Sequence, residues 1–506
     1  MVTHSLAFQF STPMKKIALI IFSLCLTLNI TAQKHDNIWV QGGYEGNVPN
    51  QPNFGLTLMN FSSGTMKLES PTKGSLWLEE TCASICDKTG KLAFYCNGLL
   101  IENGSFDTIP NSKLTSPFWT LALTIPQGTM ILPFPEKDSL YMVFYEEPKF
   151  VTDPKILSTL STWLHYCVVD MSANNGKGKI VSKDSSINKP ENPSWGKISA
   201  IKHSNGKDWW IYFMSAWDNE FFRYELTKDG LKYKDSQIIG LAEQDGVGTS
   251  EFSPDGTKYA RYNSVGTTLG QYISLYDFDR CTGKFSNPKN LKIENRSGCG
   301  VVFSPNSRYL YVGTGEEIRQ YDTWVKDLAK AQKIVAKYDG FGTCNGGVGA
   351  GYYNGQLAPD GKIYYCTQAC SNVLHVIEKP NLGDILCEVK SHSIVTPTWY
   401  YASMPKFPNF RLGKAAQPCT VGVEDASEPY KVSIYPNPAE DLFHIHSERG
   451  AFSISITDIQ GRIVYNGTAQ NDITIDTNNW QSGIYQVLIT DKTSGQKSIE
   501  KVVIMR

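Results

Sequence analysis

The chain has 506 residues, which is enough for one large domain and a smaller one. Its 48 Lys and Arg residues balance 49 Asp and Glu residues, giving a formal net charge of −1 at pH 7. Because nucleic-acid-binding proteins normally carry a basic face, this balance argues against a nucleic-acid partner. Aromatic residues at 12% and 42 glycines suit many short strands and tight turns.

The N-terminus predicts export. The basic pair Lys15 and Lys16 precedes an apolar run over residues 17–28 and small residues around Ala32. This pattern is typical of a secretory signal peptide, so we predict that residues 1–32 are a signal segment starting at Met14 and cleaved between Ala32 and Gln33. The apolar run is shorter than the ~20 residues of a membrane-spanning helix, and no other stretch approaches that length, so no transmembrane segment is predicted.

A turn phrase recurs through residues 33–412. FSPDGTKYARY, FSPNSRYLYVG and LAPDGKIYYC align on Gly256, Ser307 and Gly361, which are 51 and 54 residues apart. Pro followed by Asp or Asn and then Gly or Ser predicts a tight turn, and the alternating residues after it predict a strand. Weaker copies of the turn lie upstream, at Gly90, Ser139 and Gly206.

A repeat of this length that carries several short strands is typical of a β-propeller blade. We predict seven blades, with six or eight as alternatives. IWVQ near Trp39, LTLMNF near Leu58 and HSIVTPTWYYASMPKFPNF after the last turn offer strands for a closing blade shared by both ends. One helical stretch is predicted around Leu328, in TWVKDLAKAQKIVAKY.

The cysteines favour structural roles. Without Cys25 of the signal segment, eleven remain, so at least one thiol is free. Cys82 and Cys86 are too far apart on one extended strand to bridge each other. Cys366 and Cys370 flank a turn that a disulfide between them can close. Zinc is disfavoured because no histidine or second cysteine pair lies at ligand spacing, so neither a metal nor a cofactor is predicted.

Two cysteines occupy equivalent places in the repeat. Cys82 and Cys299 each lie eight residues before a repeated turn, at Gly90 and Ser307. Both are therefore predicted to open an innermost strand, as buried small hydrophobic residues.

No motif identifies catalytic residues. The sequence has neither a G-x-S-x-G elbow nor an HExxH pair. Glu79 with Glu80, and Asp277 with Asp279, are carboxylate pairs, but adjacent positions cannot demonstrate the opposed carboxyl groups of a glycosidase. We interpret them as solvated turn or rim groups.

The loops that enter the innermost strands suggest a binding surface. They are long and glycine-rich, and Trp119, Trp195, Tyr352 and Tyr353 are candidates to stack on a sugar or peptide. The alternative is that these aromatic side chains pack the loops together. The leading hypothesis is a secreted or surface propeller that binds a protein or glycan, and the rival is a secreted propeller hydrolase or lyase acting on polysaccharide or peptide.

A polar, turn-rich linker is predicted over residues 413–430. From 431 to 506 about seven short alternating stretches predict a small β-sandwich, so the fold class is all-β. Pro436 and Pro438 are expected to end a strand, and the segment from Asp458 to Gly461 to turn a hairpin.

Residues 431–506 resemble the type A C-terminal sorting domain of the type IX (Por) secretion system. The resemblance rests on YPNP, the D-x-x-G turn, SGIYQV and the final KVV. It implies recognition by the type IX secretion machinery of a Bacteroidetes-type bacterium, followed usually by removal of the domain and release or surface anchoring. The sorting-motif residues are Tyr435, Pro436, Asn437, Pro438, Asp458, Gly461, Gly483 and Tyr485.

Segments such as HSNGKDWWIYF, LYDFDRCTGKF and LAPDGKIYYC give residues 38–412 a resemblance to the WD-repeat-like (WD40-like) propellers that often precede such sorting domains. This second resemblance implies an architecture and an extracellular location, but it implies no reaction.

Overall fold

The computed structural model describes residues 33–43, 53–114, 123–149, 161–216, 218–242, 246–264, 271–293, 298, 300–342, 349–415, 419, 432–492 and 497–505. The predicted signal segment up to Ala32 therefore lies outside the described residues. The chain divides into two compact units, residues 1–417 and 418–506.

In the first unit the described strands form seven antiparallel sheets, which are the seven predicted blades of a β-propeller. Blades 1 and 2 have three strands each, and blades 3 to 7 have four. Blade 1 comprises β1 (Ile38–Gly42), β2 (Leu56–Asn60) and β3 (Lys67–Glu69), and blade 2 comprises β4 (Ala83–Cys86), β5 (Leu92–Cys96) and β6 (Ile101–Asn103). Blade 3 comprises β7 (Thr129–Pro133), β8 (Leu140–Lys149), β9 (Ser161–Asp170) and β10 (Lys179–Ile187).

The later blades follow the same up-and-down order. Blade 4 comprises β11 (Ser199–Lys202), β12 (Trp209–Met214), β13 (Glu220–Thr227) and β14 (Gly230–Ile238). Blade 5 comprises β15 (Ser250–Phe252), β16 (Lys258–Ser264), β17 (Gln271–Asp279) and β18 (Lys284–Ile293). Blade 6 comprises β19 (Gly300–Phe303), β20 (Tyr309–Gly313), β21 (Glu317–Asp322) and β22 (Gln332–Lys337), and blade 7 comprises β23 (Gly355–Leu357), β24 (Ile363–Tyr365), β25 (Ser371–Ile377) and β26 (Val389–Tyr400).

The six repeated turns join the first and second strands of blades 2 to 7. In blade 5, Ser253 N donates to Lys258 O at 2.9 Å and Gly256 N donates to Ser253 O at 2.8 Å. Gly256 has φ +75°, and Ser307 holds the same place in blade 6 with φ +62°. We call the end of the propeller that carries these turns the turn face, and the opposite end, where the chain enters the first strands of blades 2 to 7, the loop face.

The ring closes between blades 7 and 1. The ring of Tyr364 lies 6.2 Å from that of Trp39 and 5.8 Å from that of Phe61, and Trp399 N donates to Asn53 O at 2.9 Å. The two ends of the propeller thus meet, as predicted.

Both ends of the propeller contribute to the closing blade, as predicted, although the C-terminal segment does not pair in its sheet. The stretch HSIVTPTWY belongs to β26 of blade 7, and residues 402–411, here called the channel segment, run antiparallel to β1 without joining its ladder. Ser403 Oγ accepts from Gly42 N at 3.2 Å, the ring of Phe407 lies 5.5 Å from that of Trp39, and Arg411 pairs with Asp36. Pro405 and Pro408 interrupt the segment, and proline has no N–H to donate to a ladder.

The channel segment lies inside the central channel. Its residue Lys406 is only 6% exposed, and the ammonium is 3.0 Å from Glu251 Oε2 of blade 5. The same ammonium donates to Val301 O of blade 6 at 3.4 Å and to Gly355 O of blade 7 at 2.8 Å. Since the innermost strands of three blades converge on this group, the channel is filled at this level.

The helix predicted around Leu328 is wrong. Residues 323–331 form turns, and QKIVAK is the outermost strand β22 of blade 6, paired with β21. The described residues contain only two short helical turns, at Ala173–Gly176 and Asp384–Cys387.

The second unit is a small β-sandwich with a core of its own. Its described strands number five rather than about seven, because two of them are long: residues 442–457 and residues 463–476 each form one strand. The strand that begins at Leu442 has two different partners. Its first half pairs with the strand that begins at Val432. Its second half, which follows a register shift between His446 and Ala451, pairs with the strand that begins at Gly483. The strands are β27 (Val432–Tyr435), β28 (Leu442–Thr457), β29 (Ile463–Asp476), β30 (Gly483–Asp491) and β31 (Lys497–Ile504).

Candidate functional site

The loop face brings together carboxyl and aromatic side chains from three blades. Glu79 and Glu80 lie just before β4 of blade 2, and Tyr353 lies just before β23 of blade 7. The hydroxyl of Tyr353 donates a hydrogen bond to Glu80 Oε1. Because blades 2 and 7 flank blade 1, this bond crosses the inner end of blade 1 at the mouth of the channel.

The two carboxyl groups are half-buried. Burial raises the pKa of Glu79 to about 6. Burial also raises the pKa of Glu80 to about 7, with a further rise from the charge of Glu79 and a decrease from the Tyr353 hydrogen bond. No basic side chain in the described part of the chain contributes to either shift. Near neutral pH the pair therefore retains part of its protons, and it can both donate and accept hydrogen bonds.

Three aromatic rings lie at the same end of blade 1. Phe54 precedes β2, Tyr401 follows β26, and their rings are stacked with centroids 5.3 Å apart. The ring of Trp77 lies 6.2 Å from that of Tyr401. All three side chains are half-buried. The bridge between Gly42 and Leu78 holds Trp77 and Glu79 beside the end of β1, and we call these six residues the mouth cluster: Phe54, Trp77, Glu79, Glu80, Tyr353 and Tyr401.

Three of the four aromatic residues predicted from the sequence lie among the described residues, and one of them, Tyr353, belongs to the mouth cluster. Trp119 lies outside the described residues. Trp195, Tyr352 and Tyr353 are 7%, 1% and 3% exposed, and Tyr352 shares a 2.6 Å hydrogen bond with Ser391 Oγ. Such burial fits the alternative that these rings pack the loops together, and it does not support the prediction that they present faces to a ligand. Tyr353 joins the mouth cluster through its hydroxyl instead.

Glu79 and Glu80 lie at the rim of the channel, as interpreted from the sequence, but they are half-buried rather than fully solvated. Asp277 and Asp279 have ordinary structural contacts away from the mouth cluster. Asp277 Oδ1 accepts from Lys258 Nζ at 2.7 Å, and Asp279 Oδ1 accepts from Cys281 N at 2.9 Å.

The predicted Cys366–Cys370 disulfide is also wrong, because Cys366 is a free, buried cysteine whereas Cys370 is disulfide-bonded. Cys82 and Cys86 are both free, in agreement with the prediction that they do not bridge each other. Cys82 is 3% exposed, and burial raises its pKa to about 12, which fits a small hydrophobic role. Cys299 lies outside the described residues.

The sorting-motif residues stabilise the sandwich locally. After β27 ends at Tyr435, the side chain of Asn437 donates to Lys501 O at 2.6 Å and accepts from Val503 N at 2.9 Å, which joins the YPNP loop to the last strand. Asp458 Oδ1 accepts from Arg462 N at 3.0 Å in the predicted hairpin turn, and Gly461 there has φ +79°.

Gly483 opens β30, two residues before Tyr485. Tyr485 is 6% exposed, and its hydroxyl donates to Gln481 O at 2.8 Å.

The fold and the C-terminal motif together define an all-β protein in which a seven-bladed propeller precedes a sorting domain. Residues 433–505 match the family model described as the secretion system C-terminal sorting domain, which confirms the resemblance to type IX (Por) sorting domains. The chain is therefore exported by type IX secretion to the cell surface or beyond. Among the described residues, no helix is long and apolar enough to cross a membrane.

Two solved structures are similar to the propeller. One is a candidate 6-phosphogluconolactonase from Bacteroides uniformis, with 12% identity, a TM-score of 0.43, and coverage of 73% of this chain and 98% of that chain. The other is a periplasmic gluconolactonase from Pseudomonas aeruginosa, with 12% identity, a TM-score of 0.40, and coverage of 73% and 97%. At this level of similarity neither carries an argument about function. No curated protein matches the chain significantly.

Proposed function

We propose that residues 1–32 direct this chain into the envelope, that residues 431–506 complete its export, and that the propeller of residues 33–412 binds an extracellular glycan or protein through the mouth cluster. The observation that carries the binding proposal is the placement of three half-buried aromatic rings beside two half-buried carboxyl groups. Binding sites commonly combine an apolar, aromatic lining with a few polar groups that fix orientation.

The charge of the mouth cluster limits the chemical class of ligand that it can bind. Glu79 and Glu80 repel an anion, because no basic side chain among the described residues offsets their charge. A neutral sugar ring suits the site, since its apolar face can contact Trp77 or Tyr401 while its hydroxyls bond to the carboxyl groups. A protein ligand would satisfy the same groups with a polar or basic side chain on an apolar patch.

A secreted hydrolase or lyase is the second candidate, because the pKa of Glu80, at about 7, is suitable for a general acid. Glycosidases, however, place two carboxyl groups on opposite sides of the bond that breaks, about 5–5.5 or 6.5–9.5 Å apart. Glu79 and Glu80 are neighbours in one loop. The arrangement therefore favours binding over catalysis.

A glycan array, an extracellular-protein binding screen and a hydrolysis screen on the full chain test the proposal. Trp77→Ala should weaken the binding of any hit by ~30-fold, as loss of a central aromatic contact does. Trp324→Ala is the matched control, since Trp324 is 64% exposed on blade 6, away from the mouth cluster, and should leave binding unchanged.

Equal effects of the two tryptophan variants, or no hit in either binding screen, would contradict the proposal. Release of product by the wild type that disappears in Glu80→Gln would instead establish the hydrolase or lyase.

A further inference from the structure

The central channel retains a cavity of about 270 Å³ between the channel segment and the innermost strands. Its outer edge is formed on the turn face by Pro254, Pro305 and Pro359, each from one of the repeated turns. These prolines are half-buried, whereas Gln127, Ser199 and Ser250, deeper in the channel, are buried. We call this space the channel cavity, and it lies at the opposite end of the propeller from the mouth cluster.

The buried end of the channel cavity is polar and uncharged. Gln127, Ser199 and Ser250 line it, and each is 5% exposed or less. The hydroxyls of Ser199 and Ser250 share a 2.5 Å hydrogen bond, and Gln127 Nε2 donates to Ser250 O at 3.0 Å. Both N–H groups of the Gln127 amide are engaged, with Ile198 O and Ser250 O, and its oxygen accepts from Ser250 N. The groups left to meet a ligand hydroxyl here are therefore the serine hydroxyls, which can both donate and accept.

The charged lining residues are two acids and two bases, which sum to zero. Glu251 is paired with Lys406 at 3.0 Å, and Asp36 is paired with Arg411. An ionic ligand would gain no net attraction here and would compete with one of these pairs. A neutral polar ligand avoids that cost.

Asp36 supplies an independent indication of a hydrogen-bond donor. The residue is 7% exposed, and while one carboxylate oxygen meets Arg411, Oδ1 has no hydrogen-bond partner in the structure. A buried acceptor without a donor is costly, and such groups are normally satisfied by the protein, by water or by a ligand.

Apolar groups complete the lining, among them Met130, Phe252, Leu357 and Phe407. The volume lies just below the ~300 Å³ at which pockets for drug-sized ligands begin, so a molecule of about one sugar ring is the appropriate size.

We propose that the channel cavity is a second binding site, specific for a neutral, ring-sized polyol such as a monosaccharide or a cyclitol. Its hydroxyls would bond to Asp36 and to the hydroxyls of Ser199 and Ser250, and its carbon skeleton would contact the apolar lining. This site is independent of the mouth cluster and of the function proposed for it.

Isothermal titration calorimetry on the full chain tests this proposal with glucose, xylose and myo-inositol as neutral probes. Gluconate and glucosamine are the matched anionic and cationic probes. At least one neutral probe should bind saturably, and more tightly than either charged analogue. Asp36→Asn and Ser199→Ala should each weaken that binding by ~10-fold or more, as loss of a hydrogen bond to a charged or buried group does.

Asp138→Asn is the control for the Asp36 variant, because Asp138 is an exposed acid on the turn face that pairs with Lys88, and it should bind like the wild type. Trp77→Ala should also keep this binding, which separates the channel cavity from the mouth cluster. Variants are compared only where their melting temperatures match the wild type, and Ser199→Ala serves if Asp36→Asn unfolds. Absence of saturable binding, equal binding of gluconate, or loss of binding in Trp77→Ala rather than in the cavity variants would overturn the proposal.

Discussion

Replacing Lys406 with methionine tests whether the channel segment holds the ring closed. The ammonium is buried and meets one carboxylate and two carbonyl oxygens from three blades. Methionine preserves most of the side-chain volume but leaves Glu251 as an uncompensated buried acid. Breaking a buried ion pair by removing one partner typically costs ~3–5 kcal/mol, which at about 2 °C per kcal/mol corresponds to a melting temperature lower by ~6–10 °C.

The loss should depend on pH with a definite sign. Burial raises the pKa of Glu251 above its ordinary value of 4.5, and Lys406 partly offsets that rise. Without Lys406 the folded-state pKa rises further above the unfolded value, so stability is lost as the pH increases through the interval between the two values. The deficit of Lys406→Met should therefore be smallest near pH 4.5 and reach its full size at neutral and higher pH.

Differential scanning fluorimetry of the full chain between pH 4.5 and 8 measures this effect, with Lys406→Arg as the charge-preserving control. The double variant Lys406→Met, Glu251→Gln removes both charges and should recover most of the loss. The reasoning is refuted if Lys406→Met has the same melting temperature as the wild type at pH 8, or if the double variant is no more stable than Lys406→Met alone.

Three further outcomes are expected. A chain ending at Ala415, made in a heterologous host, should melt cooperatively near the melting temperature of the wild-type propeller, but in the native host it should not be exported. A chain ending at Tyr401 lacks the channel segment and should fail to fold. Circular dichroism measures folding, and surface labelling measures export. Gly361→Ala should cost ~1–2 kcal/mol in urea unfolding, because Gly361 has φ +81° and no neighbour crowds an added Cβ, while Gly361→Asn should cost less; equal costs would argue against backbone strain. Glu80→Gln should match the wild type in stability near pH 4 and be more stable above pH 7. The reason is that the raised pKa of Glu80 costs the wild type stability as the pH rises from about 4.5 to about 7. A wild type that is more stable than Glu80→Gln at pH 8 would contradict the raised pKa of Glu80.

The blade architecture was predictable because its signal is local. Each repeated turn is specified by a few adjacent residues, and all six connect the strands that the sequence assigns to them. The helix predicted around Leu328 failed for the opposite reason. QKIVAK has residues that tolerate a helix, but β21 offers it an open edge, and tertiary pairing overrides such weak local preferences.

The mouth cluster had no comparable signal. Phe54 and Tyr401 stack although 347 positions separate them in the sequence. Tyr353 of blade 7 likewise bonds to Glu80 of blade 2, although the two residues lie near opposite ends of the propeller sequence. Only ring closure brings these positions together. The long loops of the sequence instead pointed to Trp195, Tyr352 and Tyr353, whose burial follows from their place at the packed inner ends of the strands. Raised pKa values of adjacent glutamates depend on the same closure and cannot be read from their spacing.

The channel segment determines how the two proposed sites relate. It runs from Ser403 at the loop face to Arg411 at the turn face, and Lys406 fills the channel between them. A ligand at the mouth cluster and a ligand in the channel cavity therefore enter from opposite faces and share no contacting side chain. Binding energies at sites without shared contacts are additive to within a few tenths of a kcal/mol, so Trp77→Ala and Asp36→Asn should each affect one ligand only. The channel segment lines the cavity, however, and a polyol bound there contacts only the closed ring, so it should raise the melting temperature of the propeller, and the rise should continue with the logarithm of the polyol concentration above its Kd.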